Sequence, residues 1–220
     1  MDRTGRSAAV LRLRAVSRRY GSTQALAPIS LTVAAGTVTL VAGANGSGKS
    51  TLLRLAAGLL VPSSGARVLA GRARYLPAGA GARAAQTARS AIRVAAGLAG
   101  LPDPHARAAA ALAEVELTAL ADRPAGTLSA GQRARLTLAL ALACPAELVC
   151  LDEPTAHLDA DGTELVTRLL ARLRGTGTAV LVATHDPALL RWPADGRIDL
   201  VLGRLVDPVP DPAREVGAWR

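Results

Sequence analysis

The stretch whose reading decides the fold is Gly43-Ala-Asn-Gly-Ser-Gly-Lys49-Ser50-Thr51. An apolar run, Val38 to Ala42, leads into it, and a helical run, Thr51 to Gly58, leads out. Three glycines let the backbone turn tightly and present its N–H groups inward, where a polyphosphate can sit. The helix start adds unpaired N–H donors and a positive dipole end. In this setting Lys49 is expected to reach the outer phosphates and the Ser50 hydroxyl to ligate Mg²⁺. A Gly-rich turn without a ligand would not need a Lys-Ser pair between a strand and a helix.

Composition supports the same reading. Lys and Arg total 26, and Lys49 is the only lysine; the only asparagine, Asn45, lies in the same loop. A coding bias against lysine explains the scarcity but not the location. A slim ammonium fits a phosphate cradle where a planar guanidinium fork does not.

At 220 residues the chain is expected to form one domain with ample material for a core. Half of it is hydrophobic, but only 2% is aromatic and Phe is absent, so Leu, Val and Ala must fill the interior. The net charge of +9 suits an anionic partner: a nucleotide, a nucleic acid or an anionic membrane surface. The arginines are dispersed, with no long block of like charge, and two Tyr and two Trp are too few for base-stacking platforms. No nucleic acid is therefore expected. Cys144 and Cys150 are not spaced as CxxC and read as core thiols in a reducing compartment. Met1 to Val16 is punctuated by charges and has no signal-peptide core. The longest apolar stretch, Leu136 to Leu151, is broken by Pro145 and Glu147. A soluble protein is expected, with any membrane role acting through a partner.

Along the chain, residues 10–16 and 29–33 alternate apolar and polar, as half-exposed strands do, with a turn at Arg18 to Gly21. These early strands are expected to form a small antiparallel sheet. Pro62 to Gly65 reads as a turn, Ala66 to Leu76 as short strands, and Pro77 to Gly81 as a loop. Ala88 to Gly100 and Pro104 to Leu120 read as helices, the second after an Asp103 cap with Pro at the first turn. A third runs from Ser129 to Ala143. Together they suggest a separate helical lobe. Leu148 to Leu151 and Ala179 to Ala183 are continuous apolar runs, as in parallel strands covered on both faces. Asp161 to Arg174 has leucines at four-residue spacing on one helix face. Ile198 to Val206 reads as a hairpin turning at Gly203-Arg204, and the Pro-rich tail from Asp207 as extended.

Three apolar runs end in reactive groups: the phosphate loop after Ala42, Asp152-Glu153 after Leu151, and Thr184-His185 after Ala183. In open α/β sheets, ligands gather at the carboxyl ends of the strands. Asp152 is expected to hold Mg²⁺ through water, and Glu153 to orient or deprotonate an attacking water. Neutral His185 could donate to a terminal phosphate. His105 and His157 have no such context and read as surface residues. Leu128-Ser-Ala-Gly-Gln132 opens another helix. Ser129 with Gln132 makes a capping box, but Ser129 and Gly131 could equally face a second anion, and the spacing leaves both open.

These motifs together resemble the ATP-binding subunit of an ABC (ATP-binding cassette) transporter, over nearly the whole chain. Residues 43–51 (Gly43, Ala44, Asn45, Gly46, Ser47, Gly48, Lys49, Ser50, Thr51) match the Walker A motif, and Leu148 to Glu153 match Walker B with its catalytic glutamate. Ser129, Gly131 and Gln132 fall in a run similar to the LSGGQ signature, Leu158-Asp159 resembles the D-loop, and His185 matches the switch histidine. Tyr20 matches the aromatic that stacks on adenine. The resemblance implies an α/β P-loop NTPase (RecA-like) core with a small antiparallel β subdomain and a helical subdomain. On the sequence the core lobe covers about 8–85 and 146–206, the helical lobe about 86–145, and the tail 207–220.

The resemblance further implies ATP and Mg²⁺ as cofactors, bound in a sandwich where one cassette's signature closes over its partner's phosphate loop. The dimer could be homomeric or heteromeric. Closure and hydrolysis would drive a separate multi-span membrane permease, with the cassette peripheral on the cytoplasmic face of the membrane. The short tail after Val206 resembles exporter-type ATPases. Two departures stand out: Ala130 replaces a glycine of the signature, and Ala78 stands where the Q-loop glutamine is expected, with Gln86 too far along to replace it. The alternatives are a soluble ATPase of iron–sulfur cluster assembly and a hydrolysis-impaired, nucleotide-gated structural subunit.

Overall fold

The computed structural model describes residues 8–79 and 82–206. The end of the loop expected at Pro77 to Gly81 and the tail from Asp207 lie outside them. Two sheets organise the chain. The smaller has strand order β2-β1-β4 and is antiparallel, formed by β1 (Ala9–Tyr20), β2 (Thr23–Ala34) and β4 (Ser64–Leu69). The turn expected at Arg18 to Gly21 falls later. Arg19 pairs with Gln24 and Tyr20 with Thr23, so the strand runs through Tyr20 and the chain reverses at Gly21, in the left-handed region at φ 56. The alternation was cut short at Val16 because the register shifts after Leu13, where Ala15 sits at φ 47. A bulge of this kind breaks a period-two pattern without ending the strand.

The larger sheet has strand order β5-β6-β7-β3-β8-β9. It contains β3 (Val38–Ala42), β5 (Ala73–Pro77), β6 (Leu148–Asp152), β7 (Ala179–Thr184), β8 (Gly196–Val201) and β9 (Arg204–Leu205). Every pairing is parallel except β8 with β9. The expected terminal hairpin is thus also part of the main sheet, because β8 lies beside β3. The continuous apolar runs follow from coverage on both faces. Leu148 and Cys150 of β6 pack with the small sheet and with Leu52, Leu53 and Leu55 of α1 (Lys49–Ala57). Val149 and Leu151 pack on the opposite face with the remaining helices.

Those helices are α2 (Ala88–Leu98), α3 (Pro104–Glu114), α4 (Ala130–Ala143) and α5 (Ala160–Gly175), with a short α6 (Pro187–Leu190). The Asp103 cap is present: its Oδ1 accepts from Ala106 N at 2.9 Å. The helix expected to reach Leu120 stops at Glu114. Glu116 takes a left-handed conformation at φ 60 while its N–H donates to Ala113 O and Leu117 N–H donates to Leu112 O. This is a Schellman ending with glutamate at the position glycine usually fills. It turns Leu117 back into the core, where it is 1% exposed. Among the described residues, no helix is long and apolar enough to cross a membrane.

Candidate nucleotide site

The loop after β3 is fixed by two close approaches. A Cβ on Gly43 (φ 149) would lie 2.4 Å from Leu200 O, and one on Gly48 (φ 102) 2.9 Å from Ala25 O. Only glycine fits at either point. The hairpin turn between β8 and β9 braces the loop from outside, since Gly203 N–H donates to Ser47 O at 2.9 Å. Gly48, in the left-handed region, is the N-cap of α1 and supplies no side-chain cap, so that helix start has no internal anion substitute.

Lys49 opens α1 and is only 6% exposed. Its Nζ donates to the carbonyls of Gly43 at 2.8 Å and Ala44 at 3.2 Å, and lies 3.3 Å from Glu153 Oε1. A buried ammonium persists only with such partners. Glu153 follows β6 and adopts φ 53, a costly conformation for a non-glycine residue. That turn lets one carboxylate meet two elements: His185 Nδ1 lies 2.9 Å from Glu153 Oε2. Parallel register makes this possible, because Asp152 pairs with Ala183 and Ala42 with Thr184. Asp186, which follows His185, caps α6, its Oδ1 accepting from Ala188 N at 2.8 Å.

Asp152 ends β6 and is 6% exposed. Its Oδ2 accepts a 2.6 Å hydrogen bond from Tyr75 Oη, while its buried Oδ1 has no partner. Tyr75 Oη in turn accepts from Arg54 Nε at 3.1 Å. Burial, with the Asp152 carboxylate beside it, pushes the Tyr75 phenol up to about 12, so it remains a donor at neutral pH. An unpartnered buried carboxylate oxygen calls for a cation or water. No group of three or more His, Cys, Asp or Glu able to hold a metal occurs among the described residues. Mg²⁺ suits such a sparse set, since it takes one or two protein oxygens and keeps substrate phosphates and water for the rest.

A cavity of about 490 Å³ opens beside Lys49 and Glu153, lined by Thr23 to Ala25, Asn45 to Thr51, Glu153, Leu202 and Gly203, and Asp152 does not line it. That volume suits a small-molecule ligand. The structure thus brings together Asn45, Gly46, Ser47, Gly48, Lys49, Ser50, Thr51 and Glu153. Gly43 and Ala44 join through Lys49, and His185 through Glu153. Tyr20, Ser129, Gly131, Gln132 and Asp159 do not line it. Tyr20 is half exposed, with the Arg18 guanidinium 4.7 Å over its ring. Ser129 and Gln132 form a complete capping box on α4, and Asp159 caps α5 by accepting from Gly162 N at 2.9 Å. Gln86 does not line the cavity either; its backbone carbonyl accepts from Ala125 N. Sequence reading missed Thr23 to Ala25 and Leu202-Gly203; the Gly-containing hairpin turn was the only available signal.

The family model described as ABC transporter matches residues 26–156. This chain belongs to the ABC transporter family. It is an ATP-binding cassette, the ATPase module of that family, on a P-loop α/β fold. It is 39% identical over 181 residues to the cytochrome c biogenesis ATP-binding export protein CcmA of Paramagnetospirillum magneticum, covering 75% of this chain and 82% of that protein. It is 35% identical over 205 residues to the methionine import ATP-binding protein MetN of Cereibacter sphaeroides, covering 84% and 58%. Among solved structures, cbiO1 from Clostridium perfringens, part of the ABC transporter complex cbiONQ, superposes with a TM-score of 0.76 at 26% identity, covering 91% of this chain and 88% of that one. The cassette spans between 34% and 68% of the length of the first curated relatives it matches.

Proposed function

We propose that the cassette binds Mg-ATP across the carboxyl ends of β3, β6 and β7 and couples its hydrolysis to a separate multi-span membrane subunit. The contiguous Lys49–Glu153–His185 set carries this reading, because one carboxylate bridges the phosphate-loop lysine and a histidine from another strand. Lys49 exchanges its carbonyl and carboxylate partners for the outer phosphates, and Gly43 to Thr51 cradle them. Glu153, released from Lys49, orients and deprotonates the attacking water, while His185 donates to the terminal phosphate. Ser50 and Asp152 would hold Mg²⁺, which would neutralise charge on the phosphates. Adenine stacks on Tyr20, on the ring face that Arg18 leaves free.

In this reading Ser129, Gly131 and Gln132 close over the phosphate loop of a second cassette, identical or not, with Asp159 at the same interface. The division into a core lobe (about 8–85 and 146–206) and a helical lobe (about 86–145) then lets that closure move one lobe against the other. The cassette works at the cytoplasmic face of the membrane, held there by its partner. Matched relatives include import and export proteins by name, and the proposal concerns the energising step that both would share. Purification of the native complex tests it. A multi-span membrane protein as partner supports the coupling, whereas a soluble scaffold would point to the assembly-type alternative. Ala78 favours a second reading, a nucleotide-gated structural subunit, which predicts negligible ATP turnover in that complex.

A further inference from the structure

Beyond the residues that face the nucleotide, one side chain is aimed at the metal-side carboxylate from behind. We propose that Tyr75 is a positioning residue for Asp152. Its hydroxyl holds Oδ2 and leaves Oδ1 as the oxygen presented to Mg²⁺. The proposal rests on the reading of Asp152 as a metal-side ligand. Three observations on separate elements carry it. Tyr75 Oη donates to Asp152 Oδ2 at 2.6 Å across the β5–β6 pair. Arg54 Nε donates to the same phenol oxygen at 3.1 Å, and its guanidinium sits 5.5 Å from the ring centroid. The other carboxylate oxygen, Oδ1, is buried with no protein partner.

The consequence is a fixed rotamer. The phenol oxygen can donate one hydrogen bond, and with Arg54 donating into it that bond goes to Asp152. A carboxylate held at one oxygen cannot swing its free oxygen away. Groups of this kind behind a ligand orient it, and their removal typically costs metal affinity. Arg54 lies on α1, the helix that also carries Lys49 and Ser50. The relay therefore ties the phosphate-binding helix to the metal-side strand end. It also concerns the gap at Ala78, which has only a methyl side chain and whose N–H donates to Asp152 O at 2.9 Å. In this chain β5 acts on the metal side through Tyr75, three residues before that gap.

ATP binding to the full chain, titrated with excess Mg²⁺ and again with EDTA, separates this role from a structural one. Tyr75→Phe is expected to reduce the affinity gained from the metal by about 10-fold, with affinity in EDTA unchanged. Mn²⁺ retention with ATP, read by electron paramagnetic resonance, should weaken in parallel. An equal loss in both titrations by a folded Tyr75→Phe would mark a merely structural role and would overturn the proposal. So would a metal gain equal to wild type in Tyr75→Phe while Asp152→Asn loses it. If Asp152→Asn keeps the full gain, the metal assignment itself fails instead. Should Tyr75→Phe not fold, Arg54→Met decides: a loss confined to the Mg²⁺ titration supports the relay, and no loss contradicts it.

Discussion

The starts of α1 and α4 both carry small residues and a hydroxyl, yet they deal with unpaired helix N–H groups in opposite ways. At α1 the N-cap is Gly48, which offers no side chain, and the lysine that follows is buried against backbone carbonyls and Glu153. At α4 the Ser129 N–H donates to Gln132 Oε1 at 2.9 Å, and Gln132 N–H donates to Ser129 Oγ at 3.2 Å. Gly131 also has a reason inside its own chain, since a Cβ there would lie 2.9 Å from His157 O. One helix start carries no side-chain cap, whereas the other is already complete. A signature read as anion-binding can therefore be a finished cap in a single chain, and in the proposed sandwich its binding role would fall on a second cassette.

Breaking the open start should have the larger effect. Lys49→Ala removes the ammonium proposed to contact the outer phosphates, which is expected to cost about 3 kcal/mol, or roughly 100-fold in ATP affinity. Equilibrium binding of a fluorescent ATP analogue measures this, and undiminished affinity would falsify the assignment of the cradle. Breaking the closed start should do less. Ser129→Ala loses its cap at about 1 kcal/mol of stability, read as a lower urea midpoint. ATP affinity of a single chain should not change; if it falls as well, the two helix starts are not separate.

Much of the open region was legible, because its evidence is local: a glycine loop with Lys49 in sequence, and apolar runs ending in Asp152-Glu153 and Thr184-His185. The closed region was legible only as two alternatives, since a capping box and an anion site share the same spacing. Other features depended on distant contacts. Glu116 ends α3 in the left-handed region without the usual glycine, so no stop signal marked it. Tyr75 meets Asp152 across 77 positions of sequence, a pairing that only the parallel register reveals. Tyr20 was placed in a turn because the bulge at Ala15 hid the rest of its strand.

The smallest effect concerns neither helix start and serves as their control. At the opposite end of β6, Arg72 N–H donates to Glu147 Oε2 at 2.6 Å and holds that carboxyl below its ordinary value of 4.5. The stabilisation is complete above 4.5 and is lost as the pH falls through the lower folded value. Glu147→Gln should therefore lower stability slightly at neutral pH and flatten the acid limb of a pH titration of unfolding. ATP binding should be untouched; a change there would mean that this edge communicates with the nucleotide end.

Glu153 is the group on which the open region converges, and its replacement tests the central claim most directly. ATP binding and turnover should be compared between wild type and Glu153→Gln in the native complex. The expected result is retained ATP binding with turnover lower by about 10²- to 10⁴-fold, the usual contribution of a positioned general base. Equal turnover in the two proteins would contradict the account.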